Sequence, residues 1–184
     1  MEWKVDIGLL KKKKKRIVLE GIFDLDYLEL DMGKMPILEP VKVKIVVARA
    51  RDGVAVGGYV RTAIEHPCTR CLTPVRVEIN GTIEALYLPE TCRSETKEAE
   101  LENLKNVIYY KNPVIDLTDR IIEAMVLEVP EQVLCKPDCK GLCPYCGINL
   151  NEHPDHICDK APKFKAMNNK FAVLEKLKEK LREG

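Results

Sequence analysis

The sequence has few aromatic residues, little net charge and no long apolar stretch. Aromatic residues make up 5% of its 184 residues, which leaves little material for a surface of stacking rings. The net charge is +1, so no strong overall field draws the chain to nucleic acid or to a membrane. No stretch approaches the roughly 20 apolar residues of a membrane-spanning helix, and Met1 to Leu10 lacks the apolar run of a secretory signal. We therefore expect a cytoplasmic protein without membrane contact.

Sequence motifs of common enzyme classes are also missing. The chain has no GxGxxG motif, no P-loop and no Ser/His/Asp arrangement. Its glycines, such as Gly57-Gly58 and Gly81, are too sparse to cradle a phosphate group. We expect neither a catalytic residue nor a small-molecule substrate.

Alternating apolar and polar residues predict a β-rich first part. Residues 41–50, 54–65 and 75–88 follow one another with short connections, which favours an antiparallel meander. Residues 17–30 are also β-like, with a break at Gly21, whereas the glycine and prolines of residues 31–40 indicate a loop. The acidic residues 89–105 predict a mobile loop or a weakly held helix, and residues 106–110 predict a short strand.

Two segments have the apolar spacing of helices. Asp116 to Val129 has apolar residues at every fourth position, with Asp116 as a candidate N-cap. Pro162 opens a second apolar stripe that continues to about Arg182, with lysines on the other faces. The predicted fold class is α+β: an antiparallel β-sheet or partly closed β-barrel followed by a helix, a zinc-binding loop and a C-terminal helix. Residues 1–130 form the β-rich core and residues 131–184 the zinc loop and basic helix, in one continuous domain.

Clustered cysteines are the most specific chemical feature of the chain. In a reducing compartment such clusters indicate metal ligands before disulfides, and zinc takes four Cys or His ligands in a tetrahedron. Cys143 and Cys146 form a C-x2-C pair followed by a glycine, a spacing that points two thiolates at one centre. With the other pairs of suitable spacing, the candidate zinc (Zn2+) ligands are Cys143, Cys146, Cys135, Cys139, His156, Cys158, Cys68 and Cys71.

These eight residues make two complete ligand sets, and three groupings remain open. One joins Cys68 and Cys71 to Cys135 and Cys139, and leaves the other four residues for a second ion. Another places one ion on the four cysteines from Cys135 to Cys146. The last joins Cys68 and Cys71 to Cys143 and Cys146. His153 is a spare candidate, and Cys92 lies apart from the clusters.

The cysteines permit two other interpretations. They can be buried free thiols, an alternative that applies best to Cys68 and Cys71 at a strand end. The letters CPYC at residues 143–146 also match a glutaredoxin active site, which makes a thiol-disulfide oxidoreductase the least favoured alternative. That chemistry requires the first cysteine at a helix N-terminus after a strand, and the residues GINLNEHP that follow are a poor helix start.

The cysteine motifs carry a family resemblance. The segment CTRCL at residues 68–72 and the segment CKGLCPYCG at residues 139–147, with the helical segment between them and the basic segment after them, resemble the YceD family. Members are also called large ribosomal RNA subunit accumulation proteins. Family members of the cysteine-rich kind often end the loop with Cys-x-Cys, where this chain has His156-Ile157-Cys158, a replacement that keeps metal ligation.

The resemblance implies a non-enzymatic role in synthesis, processing or accumulation of 23S ribosomal RNA. Ribosomal RNA or a pre-ribosomal particle is the implied partner, and the metal staples the fold. Lysine runs bind phosphate without sequence preference. Besides the lysines of the last helix, the candidate RNA contacts are Lys11, Lys12, Lys13, Lys14, Lys15, Arg16, Arg70 and Arg76.

Two alternatives to RNA contact remain at this stage. Residues 1–16 end in the run KKKKKR, which favours a solvated loop or arm, so these lysines can simply form a hydrated surface. Residues 1–16 carry seven bases against two acids and residues 163–184 carry seven against three, so the part between them is acidic. That acidic part, with the zinc loop, can instead form a protein-interaction module that docks on basic ribosomal proteins.

Overall fold

A computed structural model describes residues 2–12, 16–92 and 106–160. The chain divides into two compact units, Met1–Cys139 and Lys140–Gly184. The first unit contains nine strands and two α-helices among its described residues. The described part of the second unit, residues 140–160, consists of turns and one short bridge between Leu142 and Asn149.

The first unit is built on an open five-stranded sheet. Its strands, in spatial order, are β2 (Arg16–Phe23), β5 (Val41–Arg49), β6 (Val54–Pro67), β7 (Pro74–Pro89) and β8 (Val107–Tyr110). The first four pair antiparallel, and the β5–β6–β7 meander predicted from sequence is confirmed. The sheet does not close into a barrel, and β8 pairs parallel to β7, which the sequence did not indicate.

Strict alternation gives this sheet one buried face, called the inner face here. Along β7, Val77, Ile79, Gly81, Ile83, Ala85 and Tyr87 are buried, whereas Glu78, Asn80, Thr82 and Glu84, which alternate with them, are exposed, as period-two alternation requires. The register pairs Ala85 with Val56 of β6, and Val56 in turn pairs with Val47 of β5. The inner face is therefore the main part of the hydrophobic core.

Residues 3–10 contribute to this core, so the prediction of a solvated loop or arm was wrong for that stretch. Strand β1 (Lys4–Asp6) pairs antiparallel with β9 (Val114–Asp116), and helix α1 (Gly8–Lys12) follows it. Trp3, Val5, Ile7 and Leu10 are buried, and the Trp3 ring meets Phe23 edge-on with centroids 6.4 Å apart. Burial of these side chains outweighs the repulsion among the lysines that follow.

Residues 31–40 also differ from the predicted loop. Strand β3 (Tyr27–Leu30) and strand β4 (Gly33–Pro36) form a two-stranded hairpin, with Gly33 in the positive-φ region at the turn. Leu28 and Met35, opposite each other in the hairpin, are both buried in the core. The predicted break at Gly21 is absent too, because β2 continues through it.

Helix α2 (Thr118–Leu127) lies against β7 and confirms the helix predicted over residues 116–129. Its buried stripe includes Ile121 and Met125, as the four-residue spacing predicted. Asp116 is not the N-cap, which is Leu117, because Asp116 still belongs to β9. The Asp116 carboxylate nevertheless accepts a hydrogen bond from the Thr118 N–H at 2.9 Å. The Thr118 hydroxyl and, next, this N–H lower the pKa of Asp116.

The α+β class and the helix after the strands are confirmed. The predicted helix after Pro162, Lys13 to Lys15 and most of the acidic loop (residues 93–105) lie outside the described residues. Neither α-helix in the described part of the chain has the length and apolar content needed to cross a bilayer.

A substitution at Gly81 tests how closely α2 approaches the sheet. A Cβ atom at Gly81 would lie 2.3 Å from the Ala124 carbonyl oxygen, which is backbone and cannot rotate away. Gly81→Ala is therefore expected to lower the free energy of unfolding by about 1–3 kcal/mol, as overpacking does. Urea unfolding followed by circular dichroism measures this loss.

Gly57→Ala is the matched control in the neighbouring strand. A Cβ atom there meets nothing closer than the Ile83 oxygen at 3.9 Å, so its free energy of unfolding stays within about 0.5 kcal/mol of the wild type. Equal losses in the two variants would contradict the close approach of α2 at Gly81.

Candidate metal centres

The turn between β6 and β7 holds the first pair of cysteines. The Cys68 N–H donates to the Thr73 carbonyl at 2.8 Å, and the Leu72 N–H donates to the Cys68 carbonyl at 2.9 Å. These bonds close a tight turn in which Leu72 has a φ of 62°, a conformation that costs a bulky residue free energy. Both Cys68 and Cys71 are buried in this turn.

The segment after α2 docks on the β6–β7 turn through backbone groups. The Val133 carbonyl accepts from the Thr69 N–H at 2.8 Å and from the Thr69 hydroxyl at 3.0 Å. The Cys139 carbonyl accepts from the Arg70 guanidinium at 3.0 Å. These contacts bring Cys135 and Cys139 to the turn although they lie far from it in sequence.

Four sulfur atoms converge there, and we call Cys68, Cys71, Cys135 and Cys139 the first cluster. The Sγ atoms of Cys68 and Cys139 are 3.8 Å apart, and those of Cys71 and Cys135 are 3.4 Å apart. All four sulfur atoms lie within 4.8 Å of one another. Disulfide sulfurs would be about 2.05 Å apart, so these are thiol groups.

The protonation of the first cluster shows how strongly its sulfur atoms interact. Burial raises the pKa of Cys68, but the backbone N–H groups of Arg70, Cys71 and Cys135 together lower it to about 6. The Cys71 thiol, in contrast, raises the pKa of Cys135 to about 12. Four adjacent thiolates repel one another unless a cation compensates their charge, and a metal ion held by all four sulfur atoms is such a cation.

The second cluster consists of Cys143, Cys146, His156 and Cys158, in the second unit. The Gly147 N–H donates to the Cys143 carbonyl at 2.9 Å, and Gly147 has a φ of 75°, so this glycine makes the turn without strain. The Cys146 Sγ atom and the His156 Nε2 atom are 3.1 Å apart. All four ligand atoms lie within 4.8 Å of one another, with Cys143 buried and the other three half-buried.

Asparagine side chains hold the loop around the second cluster. Asn151 accepts from the Lys140 N–H at 2.9 Å, and Asn149 accepts from the Asn151 N–H at 3.0 Å. The His156 N–H donates to the His153 carbonyl at 3.2 Å, which positions the imidazole at the cluster. Sequence reasoning had assigned no role to the asparagines, although such residues commonly bond to nearby backbone in turns.

Cys143 lies in a turn and not at the start of a helix. Its pKa falls to about 6 because the Tyr145 N–H donates to its sulfur, which outweighs the opposing effect of burial. None of residues 140–160 is helical, so the helix N-terminus that a glutaredoxin-type thiol requires is absent from this described segment.

Both clusters fit a tetrahedral metal ion. Four sulfur ligands at about 2.3 Å from one ion lie about 3.8 Å from each other, close to the measured 3.8 and 3.4 Å of the first cluster. A shorter metal–nitrogen bond of about 2.0 Å brings a histidine nitrogen nearer to a sulfur, as at Cys146 and His156. Of the three groupings left open by the sequence, the structure assembles the one with Cys68, Cys71, Cys135 and Cys139 together.

Thr73 is a further residue at the first cluster that sequence reasoning missed. Its Oγ1 atom lies 3.2 Å from the Cys71 Sγ atom and lowers the pKa of Cys71. Its position two residues after a candidate ligand, Cys71, is the sequence feature from which this role could have been inferred. Hydrogen bonds of this kind orient a metal ligand and stabilise its charged form.

The structure does not bring the candidate RNA contacts together in one site among the described residues. Arg16 is exposed at the start of β2, and α1 includes the backbone of Lys11 and Lys12. Arg76 forms ion pairs with Glu39 and Glu78, and Arg70 bonds the Cys139 carbonyl. RNA contact by these residues stays a prediction, and two of them already have protein partners.

A family model described as large ribosomal RNA subunit accumulation protein YceD matches residues 56–178. An uncharacterized protein of Mycobacterium tuberculosis is 34% identical over 133 residues, which cover 72% of this chain and 59% of that protein. A Zea mays protein named large ribosomal RNA subunit accumulation protein YCED homolog 1, chloroplastic, is 25% identical over 142 residues, 65% of this chain and 48% of that protein.

The chain thus spans 59% of the length of the mycobacterial relative and 48% of the length of the maize relative. An Arabidopsis thaliana protein with the same printed name as the maize protein is 26% identical over 66% of this chain and 45% of its own length. No solved structure is significantly similar to the chain.

The division of the eight ligands into two clusters can be tested by measuring the metal content. The purified protein is expected to carry about two metal ions per chain, since each cluster supplies the four ligands of a closed site. Cys68→Ser and His156→Ala each lower the content to about one, because three ligands hold the metal more weakly. Elemental analysis of protein purified under reducing conditions measures it.

Two control variants sharpen the test of the second cluster. His153→Ala keeps both ions because His153 lies outside the cluster, although it is only three residues from His156. His156→Cys also keeps both, since a thiolate replaces the imidazole. A loss of metal in His153→Ala without a loss in His156→Ala would overturn the assignment.

Proposed function

Because the chain belongs to the YceD family of large ribosomal RNA subunit accumulation proteins, we propose that it promotes accumulation of 23S ribosomal RNA without catalysing a reaction. The single observation that carries this proposal is the family match over residues 56–178, supported by the printed names of the plant relatives. In this role the protein acts in the cytoplasm on ribosomal RNA or a pre-ribosomal particle during synthesis, processing or assembly of the large subunit.

Zinc is the metal that suits both clusters. Tetrahedral sites rich in thiolate select zinc or iron–sulfur clusters, and the imidazole of His156 beside three cysteines is common in structural zinc sites. Four protein ligands at each ion leave no open position for a substrate or a reactive water. Both ions therefore serve to hold the chain, and neither takes part in a reaction.

The first zinc ion has a clear structural task in this proposal. It joins the β6–β7 turn to the segment that follows α2, alongside the hydrogen bonds to Val133 and Cys139. Structural zinc contributes on the order of 10 kcal/mol of apparent binding free energy in small zinc domains. Residues 131–139 contain no helix or strand. Metal binding of this strength holds them in place instead.

The non-enzymatic assignment rests on the two clusters that hold seven of the eight cysteines. In the thiol-disulfide alternative, Cys143 would have to attack a disulfide as a free thiolate. Its position beside Cys146, His156 and Cys158 makes it a ligand instead, and its turn lacks the helix dipole that activates such thiols.

A protein-interaction module is the second candidate, and exposed apolar side chains favour it. In the second unit Ile157 is 88% exposed, among the acidic residues Glu152, Asp155 and Asp159. An exposed apolar residue within an acidic loop suits a partner with an apolar pocket and a basic rim, such as a ribosomal protein.

Loss of the protein is expected to lower 23S ribosomal RNA relative to 16S. We predict that cells without the protein show a lower ratio of 23S to 16S RNA and fewer mature large subunits, measured by RNA electrophoresis and sucrose gradients. A gene for the wild type restores both, and His153→Ala restores them equally. An unchanged ratio in the depleted cells would refute the proposed function.

Affinity purification with and without ribonuclease separates the two candidates. If the chain acts on RNA, ribosomal proteins are lost from the purified material after digestion. Partners that survive digestion identify direct protein contact. Both samples need high and low salt, because phosphate contacts weaken steeply as salt rises.

A further inference from the structure

The outer face of the five-stranded sheet, opposite the inner face, carries an aromatic ring that is covered by a basic side chain. Tyr59 lies in the central strand β6, and 38% of its surface is exposed. The guanidinium of Arg61, two residues on, lies over the Tyr59 ring at 4.8 Å from its centroid. An arginine over an aromatic ring is held by cation–π attraction, and both planes can stack on a nucleobase.

The pairing register of β5 and β6 places two lysines next to this pair. Lys44 on β5 pairs with Tyr59, and Lys42 pairs with Arg61, so all four side chains lie on the same face in two adjacent rows. Glu20 on β2 extends the first of these rows and forms an ion pair with Lys44 at 2.8 Å. The two rows therefore carry three basic side chains and one acidic side chain.

A shallow groove of about 860 Å³ lies beside the Tyr59 row on the outer face. Ala48, Ala55 and Gly57 are among the small residues that line it, and Gly57 and Tyr59 are alternate residues of β6, so both face outward. A Cβ atom at Gly57 would meet nothing closer than 3.9 Å. Small side chains in a central strand leave space for a planar group beside the exposed ring.

The walls of the groove combine apolar and polar groups. Val46 and Leu86 contribute apolar surface, while Glu84 and Asn106 lie along one side. The Asn106 side-chain amide donates to the Glu84 carbonyl at 2.9 Å, which fixes this polar edge. Apolar walls with a fixed polar edge suit a nucleobase, which has flat faces and hydrogen-bonding edges.

We propose that the outer face of the sheet binds single-stranded RNA, with one base stacked on Tyr59, a neighbouring base in the groove and phosphates near Lys42, Lys44 and Arg61. This inference rests on the proposed function, because it names the surface through which the chain contacts ribosomal RNA. An exposed ring next to clustered bases is the arrangement by which open sheets bind unpaired nucleotides. Duplex RNA offers no free base face to the ring, so the site selects single strands.

A binding assay on the full chain tests the stacking contact. The probe is a short labelled RNA of mixed sequence, used as a single strand and annealed to its complement. Tyr59→Ala is expected to weaken single-strand binding by about 5- to 150-fold, the effect of losing one stacked base. Tyr59→Phe keeps the ring and stays near the wild-type affinity.

Tyr27 offers a matched control for the stacking contact. It is 40% exposed and lies under the Lys34 amine at 4.2 Å, but it belongs to the β3–β4 hairpin and not to the sheet face. Tyr27→Ala is expected to leave RNA affinity unchanged. Equal losses at Tyr27 and Tyr59, or equal affinity for duplex and single strand, would overturn the proposal.

Two further variants test the groove and the charges. Gly57→Leu directs a side chain into the groove from a Cβ atom that meets nothing closer than 3.9 Å, so it is expected to lower RNA affinity while the melting temperature, measured in parallel, is kept. Lys42→Gln and Arg61→Gln each reduce the slope of log affinity against log salt by about 0.7, whereas Lys34→Gln does not. Unchanged binding in Gly57→Leu, or unchanged slopes, would contradict this surface.

The same variants in cells separate this inference from the proposed function. If depletion lowers 23S RNA but Tyr59→Ala restores it fully and binds RNA normally, the sheet-face site is wrong and the proposed function stands. If depletion has no effect on 23S RNA, the proposed function fails regardless of RNA affinity. If Tyr59→Ala loses only a protein partner that survives ribonuclease, the surface binds protein and the RNA proposal is overturned.

Discussion

The tie between the β6–β7 turn and the segment after α2 determines how the first unit ends. Residues 131–139 contain neither helix nor strand, so propensity does not hold them in place. Hydrogen bonds from Thr69 and Arg70 and the convergence of four sulfur atoms hold them instead. Four adjacent thiolates are stable together only around a cation. The position of residues 131–139 therefore depends on how the negative charge of the first cluster is compensated.

The sequence predicted the parts of the fold that local patterns determine. Strands β5, β6 and β7 and helix α2 followed from periods of two and about four residues, which packing on the inner face requires. The N-terminal strand was not predicted because the alternation of Trp3, Val5 and Ile7 is short, and the lysine run that follows is typical of a solvated segment. The parallel pairing of β8 could not be predicted, since no local signal specifies which edge a short strand joins.

The ligand types were also predictable, but their grouping was not. Spacing identified the pairs Cys68/Cys71 and Cys143/Cys146, because two residues between cysteines point both sulfurs at one centre. Which pairs share an ion depends on the contact between a turn at residues 68–73 and a segment more than sixty residues later. The sequence likewise suggested that aromatic residues next to bases were scarce, and only strand register shows Tyr59 between Lys44 and Arg61.

The sequence separation within each cluster has a consequence for synthesis of the chain. Cysteines of the first cluster that touch are 64 and 71 residues apart, whereas Cys146 and His156 are 10 apart. At about 5–20 residues per second, the Cys68/Cys71 pair therefore waits about 3 to 14 seconds for its partners to be translated. During that interval the pair is an incomplete thiol site in a nascent chain. The second cluster closes a short loop and can gather its ligands before the sheet has folded, so the two clusters assemble at different stages of folding.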